Sequence, residues 1–186
     1  MNKELTTIKK IPPGGNLASR SVDFLIRSFM ALFIKQKNIN KLFFAIAKKL
    51  NRLFDITSAV LVVRSIQNGH LKVIAIKKEN YSREGLALTL PDRDSLLYRV
   101  FRKASLHIEN ITGSFSGNFI EKKLLLDEGA RILAICPITS NESVSGLLCL
   151  ASPSPAAFDL FEQGVLDSTL NQLGTIMAGT AGKLEL

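Results

Sequence analysis

Residues Arg131 to Met177 constrain the fold of this chain more than any other stretch. Two apolar segments, Arg131 to Thr139 and Ser143 to Ser152, are joined by a tight four-residue turn and run into a long segment of helical apolar spacing. The first segment, Arg131-Ile-Leu-Ala-Ile-Cys-Pro-Ile138, is almost continuously apolar, as a strand covered on both faces must be. Pro137 has no N–H for a ladder, so it belongs at an unpaired position or near a strand end. Pro153 and Pro155 then break the chain. Phe158, Phe161, Val165, Leu166, Leu170, Leu173 and Met177 read as one amphipathic helix over Phe158 to Thr180, and the last four of them repeat with the 4,3,4 spacing of a coiled-coil seam.

Upstream, residues 1–19 lack periodicity and contain Pro12-Pro13-Gly14-Gly15, so they are expected to form a flexible leader, with one domain over 20–183. Ser21 is placed to cap a helix that carries Val22, Leu25, Ile26, Phe29, Leu32 and Phe33 along one face, over Val22 to Ile34. A second helix follows Asn38, its stripe being Ile39, Leu42, Phe43, Ile46, Ala47 and Leu50. Ala59 to Ser65 reads as a strand that returns through the Asn68-Gly69 turn as Leu71 to Ile76, so the sheet is at least partly antiparallel. Residues 79–93 read as loop. Asp94 is expected to cap a short helix through Leu96, Leu97, Val100 and Phe101, and Leu106 to Glu109 to be a short strand. Gly113 to Gly117 reads as a mobile lid, and a helix from about Asn118 is expected to stop at Gly129.

Composition narrows the function classes. A chain of 186 residues with 46% hydrophobic content is sized for one core. The N-terminal apolar run Phe24 to Ile34 is broken by Arg27 and is far shorter than a membrane span of about 20 residues, and Lys9, Lys10 and Pro12-Pro13 stand where a signal peptide needs an apolar core. A cytoplasmic location without a transmembrane segment is expected. The net charge of +8 is concentrated: residues 1–52 hold eleven Lys and Arg against Glu4 and Asp23, while the remainder holds thirteen against fourteen acids. Most of these lysines interleave with helical apolar positions and solvate an outer face. Without a helix-turn-helix or basic-aromatic interleaving, the charge argues against nucleic acid as a partner. Cys136 and Cys149 both lie in apolar strands with no C-x-x-C spacing, so reduced thiols are expected.

Three segments resemble the GAF domain, a small sensor module of bacterial signalling proteins: Ile39 to Val63; Ser95-Leu-Leu-Tyr-Arg-Val-Phe-Arg-Lys-Ala-Ser-Leu-His-Ile-Glu-Asn-Ile111; and Arg131 through Ser145-Gly-Leu-Leu-Cys-Leu150 into Phe158-Asp-Leu-Phe-Glu162. The resemblance implies an α+β domain with a central antiparallel sheet of five or six strands. Terminal helices would cover one face. A ligand pocket or loops would lie on the other, roofed by the irregular middle region. It also implies a homodimer formed by the N- and C-terminal helices, here Val22 to Ile34 and Phe158 to Thr180, the latter with Gly174, Ala178 and Gly182 at four-residue spacing.

The ligand subclass is not legible, and no cofactor is assigned. Where cyclic-nucleotide GAF domains carry Asn-Lys and Asp-Glu, this chain has Ser152-Pro153 and Glu162-Gln163. Residues 79–130 contain no cysteine for a bilin, and His70 beside a turn and His107 in a short strand make poor haem ligands. No Ser/His/Asp triad or phosphate loop can be assembled. GAF-type reductases of free methionine sulfoxide use cysteines lining the pocket. If Ser140 pairs with Ser143, Cys136 and Cys149 fall on one face as diagonal neighbours, whereas a one-residue slip separates them. The expected function is a non-catalytic sensory module that binds a small molecule, with Phe115, Phe119, Arg131, Cys136 and Cys149 as candidate ligand-binding residues and Arg131 for an anionic group. The alternatives are an interaction module whose pocket has filled with side chains and, third, the thiol reductase. If the chain is complete, it acts in trans on a partner output protein.

Overall fold

The structure, a computed structural model, describes residues 27, 38–159, 161 and 164–180. Asn38 sets where the first described helix begins: its Oδ1 accepts from the backbone N–H groups of Asn40 (3.0 Å) and Lys41 (3.1 Å), satisfying donors a helix start leaves open. That helix, α1, spans Ile39–Phe54 and ends at Asp55, whose left-handed φ of 58° closes the last turn. Its stripe of Ile39, Leu42, Phe43, Ile46, Ala47 and Leu50 is buried. Each large side chain removed from water in this way stabilises the fold by about 1.5–3 kcal/mol. The expected helix over Val22 to Ile34 lies outside the described residues, apart from Arg27.

Six strands follow: β1 Ser58–Arg64, β2 Leu71–Lys78, β3 Ser82–Thr89, β4 His107–Asn110, β5 Ile132–Ser140 and β6 Ser143–Ser152. They form one sheet in the order β3-β2-β1-β6-β5-β4, antiparallel throughout. Between strands lie α2, Leu96–Lys103, and α3, Phe119–Leu125; α4, Asp167–Thr180, closes the described chain. Alternation sorts the sheet residues into two cores. Ala59, Leu61, Ile132, Ala134, Cys136, Leu148 and Leu150 pack with α1 and α4 on what is here the helix side. Val60, Val62, Leu133, Ile135, Leu147 and Cys149 face α2 and α3 on the lid side. Burial on both faces explains the uninterrupted apolar run of β5. Pro137 is compatible with that strand because β4 reaches only to Ile135, leaving the proline a strand neighbour on one side.

The structure corrects five expectations. Residues 82–89 are a strand, not loop; as an edge strand exposed along most of its length, β3 carries no apolar alternation to betray it. Ser95, not Asp94, caps α2: its hydroxyl accepts from Tyr98 N at 3.0 Å, while Asp94 sits at φ 54°. Helix α3 ends at Leu125, four residues before Gly129. The final helix starts at Asp167 rather than Phe158, because Gly164 adopts φ 74° and interrupts any continuous helix there. Phe158 and Phe161 are buried all the same, with Phe161 edge-on to Phe54 at 5.2 Å between ring centroids. The fifth concerns the β5–β6 hairpin. Ser140 does pair with Ser143 across a turn in which Asn141 and Glu142 have φ of 49° and 63°, but a bulge between Ile138 and Thr139 shifts the register by one. Cys136 thus pairs with Leu148 and Cys149 with Ile135, which puts the two thiols on opposite faces.

Glycines let α4 approach the sheet. A Cβ on Gly174 would collide with the carbonyl of Thr139, and one on Gly146 would meet Met177 Cε at 2.9 Å and overlap the carbonyl oxygen of Val62. Among the described residues no helix is long and apolar enough to cross a membrane.

Candidate functional site

On the lid side, where the resemblance implies a pocket, the space between sheet and roof holds side chains. Leu97 of α2 and Leu125 of α3 are fully buried against Val60, Leu133, Leu147 and Cys149, and Leu90 and Leu96 close the margin. Tyr98 extends the sheet: its hydroxyl accepts the backbone N–H of Leu71 at 2.9 Å, at the start of β2, and lies 3.3 Å from His70 Nδ1.

One buried carboxylate holds this roof together. Glu121 is fully buried, and its two oxygens accept hydrogen bonds from the Ser95 hydroxyl and from the N–H groups of Leu96 (2.9 Å), Leu97 (3.1 Å) and Asn118 (3.2 Å). The last belongs to the capping box of α3, completed by Glu121 N–H donating to Asn118 Oδ1 at 3.0 Å. The same side chain therefore starts α3 and caps α2. A negative charge is favoured at a helix N-terminus, and four donors repay much of the desolvation of burying it. The sequence signal that would have found Glu121 is the Asn118-x-x-Glu121 capping spacing, which went unread; no local signal shows that the acid also serves Ser95 to Leu97.

The two thiols are unsuited to nucleophilic chemistry. Both are buried. Burial, and then the charge of Asp167, pushes Cys136 up to about 12. Burial, followed by the Cys136 and Glu121 charges, holds Cys149 well above the usual thiol range. The reactive species is the thiolate, so neither is an activated nucleophile in this conformation. Cys136 borders a cavity of about 410 Å³ on the helix side, beside Leu106, Thr139, Asp167 and Asn171. Cys149 belongs to the opposite core.

The other residues picked from the sequence do not gather into one site. Phe115 is half-buried against the lid-side core; Phe119 is 68% exposed, its ring under Lys123 Nζ at 4.5 Å; Arg131 is exposed, at the entry to β5. The Gly113 to Gly117 segment, expected to be a mobile lid, is tied down at Ser116. Its N–H and hydroxyl donate to Glu109 (2.9 and 2.5 Å), and its carbonyl accepts from Arg99. Burial raises Glu109, but the Ser116 bonds and neighbouring His107, 3.3 Å away, outweigh it and hold the carboxyl below its ordinary value. Among the described residues no group of His, Cys, Asp and Glu is arranged to hold a metal ion.

A second, larger cavity lies on the helix side, at the end of the sheet where α1 begins and α4 ends. It encloses about 640 Å³ between the β1–β2 hairpin, β3 and Met177 and Ala178 of α4. Its walls come from six separate segments, so no sequence motif announced it.

No protein-family model matches the sequence, and no curated protein matches it. Solved structures do. The GAF domain of an Acinetobacter phosphoenolpyruvate-protein phosphotransferase aligns with a TM-score of 0.68 at 15% identity, over 89% of this chain and 97% of that one. The GAF domain of a two-component sensor histidine kinase from Bacillus halodurans aligns at 0.60 and 16%, over 87% and 96%. A type II free methionine-R-sulfoxide reductase from Thermoplasma acidophilum aligns at 0.55 and 15%, over 71% and 86%. At these identities the likeness is one of fold, and it agrees with the strand order and two-sided helix arrangement described above. The chain has the fold of a GAF domain.

Proposed function

We propose that this chain is a non-catalytic regulatory module of a cytoplasmic signalling system, formed by residues 20–183, dimeric through its terminal helices and passing its state to an output protein through α4. The observation that carries this reading is the lid side itself: Leu97, Leu125 and their neighbours occupy the space under the roof, and Glu121 clamps α2 to α3 across it. A roof built this way serves as structure and leaves regulation to the helix side and the chain ends. Solved GAF domains of a sensor kinase and a phosphotransferase support the regulatory class.

The fold likeness to a free methionine sulfoxide reductase favours a second reading. Two buried thiols on opposite faces, both with raised pKa, oppose it. Light scattering on a sizing column, with native mass spectrometry of the protein as purified, tests the first reading: a dimer is expected, and a monomer at micromolar concentration refutes it. Incubation with free methionine sulfoxide and dithiothreitol tests the second. No turnover is expected; turnover abolished in Cys149→Ser or Cys136→Ser would establish the enzyme instead.

A further inference from the structure

We infer that the helix-side cavity at the end of the sheet is a binding site for a small amphipathic organic anion. It takes from the preceding reading only that α4 is the output. The volume of about 640 Å³ falls within the roughly 300–1,000 Å³ of small-molecule sites. Apolar walls come from Val63 of β1, Ile74 of β2 and Met177 of α4. This chemistry suits an alkyl or aryl body.

The sign of the polar end follows from Lys72. It pairs with Val63 across β1 and β2, which puts it on the same side as the cavity, and it is half-buried there. Among the described residues no Asp or Glu lines the cavity, and Lys72 has no ion-pair partner. Lys78 on the same strand shows the contrast: its ammonium is committed to Asp127 at 2.9 Å and to the carbonyls of Lys123 and Leu126. Arg64 also borders the cavity, but its guanidinium lies against the Phe101 ring, 5.9 Å from its centroid, on the lid side. An uncommitted ammonium beside an apolar floor selects a carboxylate or sulfonate.

Asn40 adds a second polar demand. Asn40 lines the cavity and its Oδ1 is buried without a hydrogen-bond partner among the described residues, although the neighbouring Asn38 Oδ1 accepts two. A ligand N–H or O–H supplies the missing donor once the amide turns about χ2. The occupant would touch Met177, which rests over the bare Cα of Gly146, and so would bias how α4 sits on the sheet. Coupling requires only that its affinity differ between two seats of that helix.

N-Octanoylglycine carries all three features, an alkyl chain, an N–H and a carboxylate, and serves as the probe in titration calorimetry on the full chain. Saturable 1:1 binding is expected, with the methyl ester weaker by roughly tenfold, the scale of one charge-assisted contact. Lys72→Gln should erase the acid-over-ester preference. Ala87→Trp, on the exposed edge strand at the cavity wall, should abolish binding of both while leaving the thermal midpoint near that of the wild type. Absence of saturable binding to the wild type overturns the site, as does an Ala87→Trp variant that binds normally or a Lys72→Gln variant that keeps the preference. Hydrogen exchange separates the two readings. Slowed exchange in α4 on binding supports both, whereas binding with α4 unchanged keeps the site and refutes α4 as the output.

Discussion

Replacing Glu121 by Gln is the sharpest test of how the roof is held. The substitution preserves shape but exchanges one acceptor oxygen for an NH₂. If the remaining carbonyl stays where Oε1 is, it still accepts from the Ser95 hydroxyl and from Leu97 N–H. The new NH₂ then faces two donors, Leu96 N–H and Asn118 N–H, now 2.9 and 3.2 Å from an acceptor. Reversing the amide only exchanges which pair is orphaned. Each buried, unsatisfied N–H costs about 1–3 kcal/mol. Two of them, partly relaxed by local movement, put the loss near ~3 kcal/mol, a sizeable part of the roughly 5–15 kcal/mol typical of a domain. Water cannot easily repair it, because Gly117 packs so closely on Oε2 that even a Cβ there would overlap it.

Urea and thermal melts read the loss directly. For a chain of this size about 3 kcal/mol lowers Tm by roughly 6–12 °C. Hydrogen exchange should quicken first at Leu96, Leu97 and Asn118, the amides bonded to the carboxylate. Ser95→Ala is the control, since it removes one donor to Glu121 and one acceptor for Tyr98 but leaves the charge capping α2; about 1–2 kcal/mol is expected. A Glu121→Gln protein within about 0.5 kcal/mol of the wild type, or one destabilised no more than Ser95→Ala, would refute the shared cap.

Iodoacetamide at pH 8 should leave both cysteines of the folded protein unmodified over hours and modify both in urea, as read by intact mass; rapid alkylation of either in the fold would contradict the raised pKa values. Ser58→Ala should be neutral or stabilise by up to about 1 kcal/mol, because Ser58 Oγ is buried on the lid side of β1 with no partner among the described residues, and a clear destabilisation would mean the hydroxyl is satisfied. Gly174→Ala should cost about 2 kcal/mol in a denaturant melt: overpacking against the Thr139 carbonyl costs up to about 3 and helix propensity returns about 1. An unchanged or raised stability would show that α4 does not press on β5. The Glu109 carboxyl, held below its ordinary value, stabilises the fold above the unfolded Glu value of about 4.3, and that contribution is lost as pH falls through the folded pKa. The Ser116 amide resonance should therefore titrate with a midpoint below about 4.3, and a midpoint at or above it would break the assignment.

The sequence spoke clearly where burial and periodicity coincide. Helix α1 has a capping Asn38 and an unbroken stripe, and β5 and β6 are apolar on both faces; all three emerge almost residue for residue. Strand β3 was silent for the opposite reason: exposed at the sheet's edge, it has no face to bury and hence no pattern. The helix expected from Phe158 failed because turns also bury apolar residues at three- and four-residue intervals, and only the φ of Gly164 separates the two cases. The candidate site suffered from a single inserted residue. The inserted residue is Ser145 of β6, opposite Ile138-Thr139, and nothing in the sequence marks it, yet it leaves Cys149 on the face opposite Cys136 and dissolves the cysteine pair. Glu121 and Lys72 were illegible because their partners lie far away in sequence, 24–26 residues for the acid and several segments for the cavity.

These placements bear on how a GAF fold divides its labour. A central sheet with two apolar faces must be covered twice, and each cover is either packed shut or left with room. Here the lid cover is packed shut and buttoned by a carboxylate shared between two short helices, neither of which has the length to be stable alone. The helix cover is wider but unevenly laid: α4 presses onto β5 through Gly174, whereas beyond Met177, toward β2 and β3, there is a cavity with an uncommitted ammonium at its side. The cavity of about 640 Å³ therefore borders the helix that ends the described chain. A regulatory input arriving at the roof would have to break buried hydrogen bonds of several kcal/mol before moving anything. One arriving beside Met177 needs only to shift a methionine over a glycine, and so can act with the modest differential affinity that a small ligand provides.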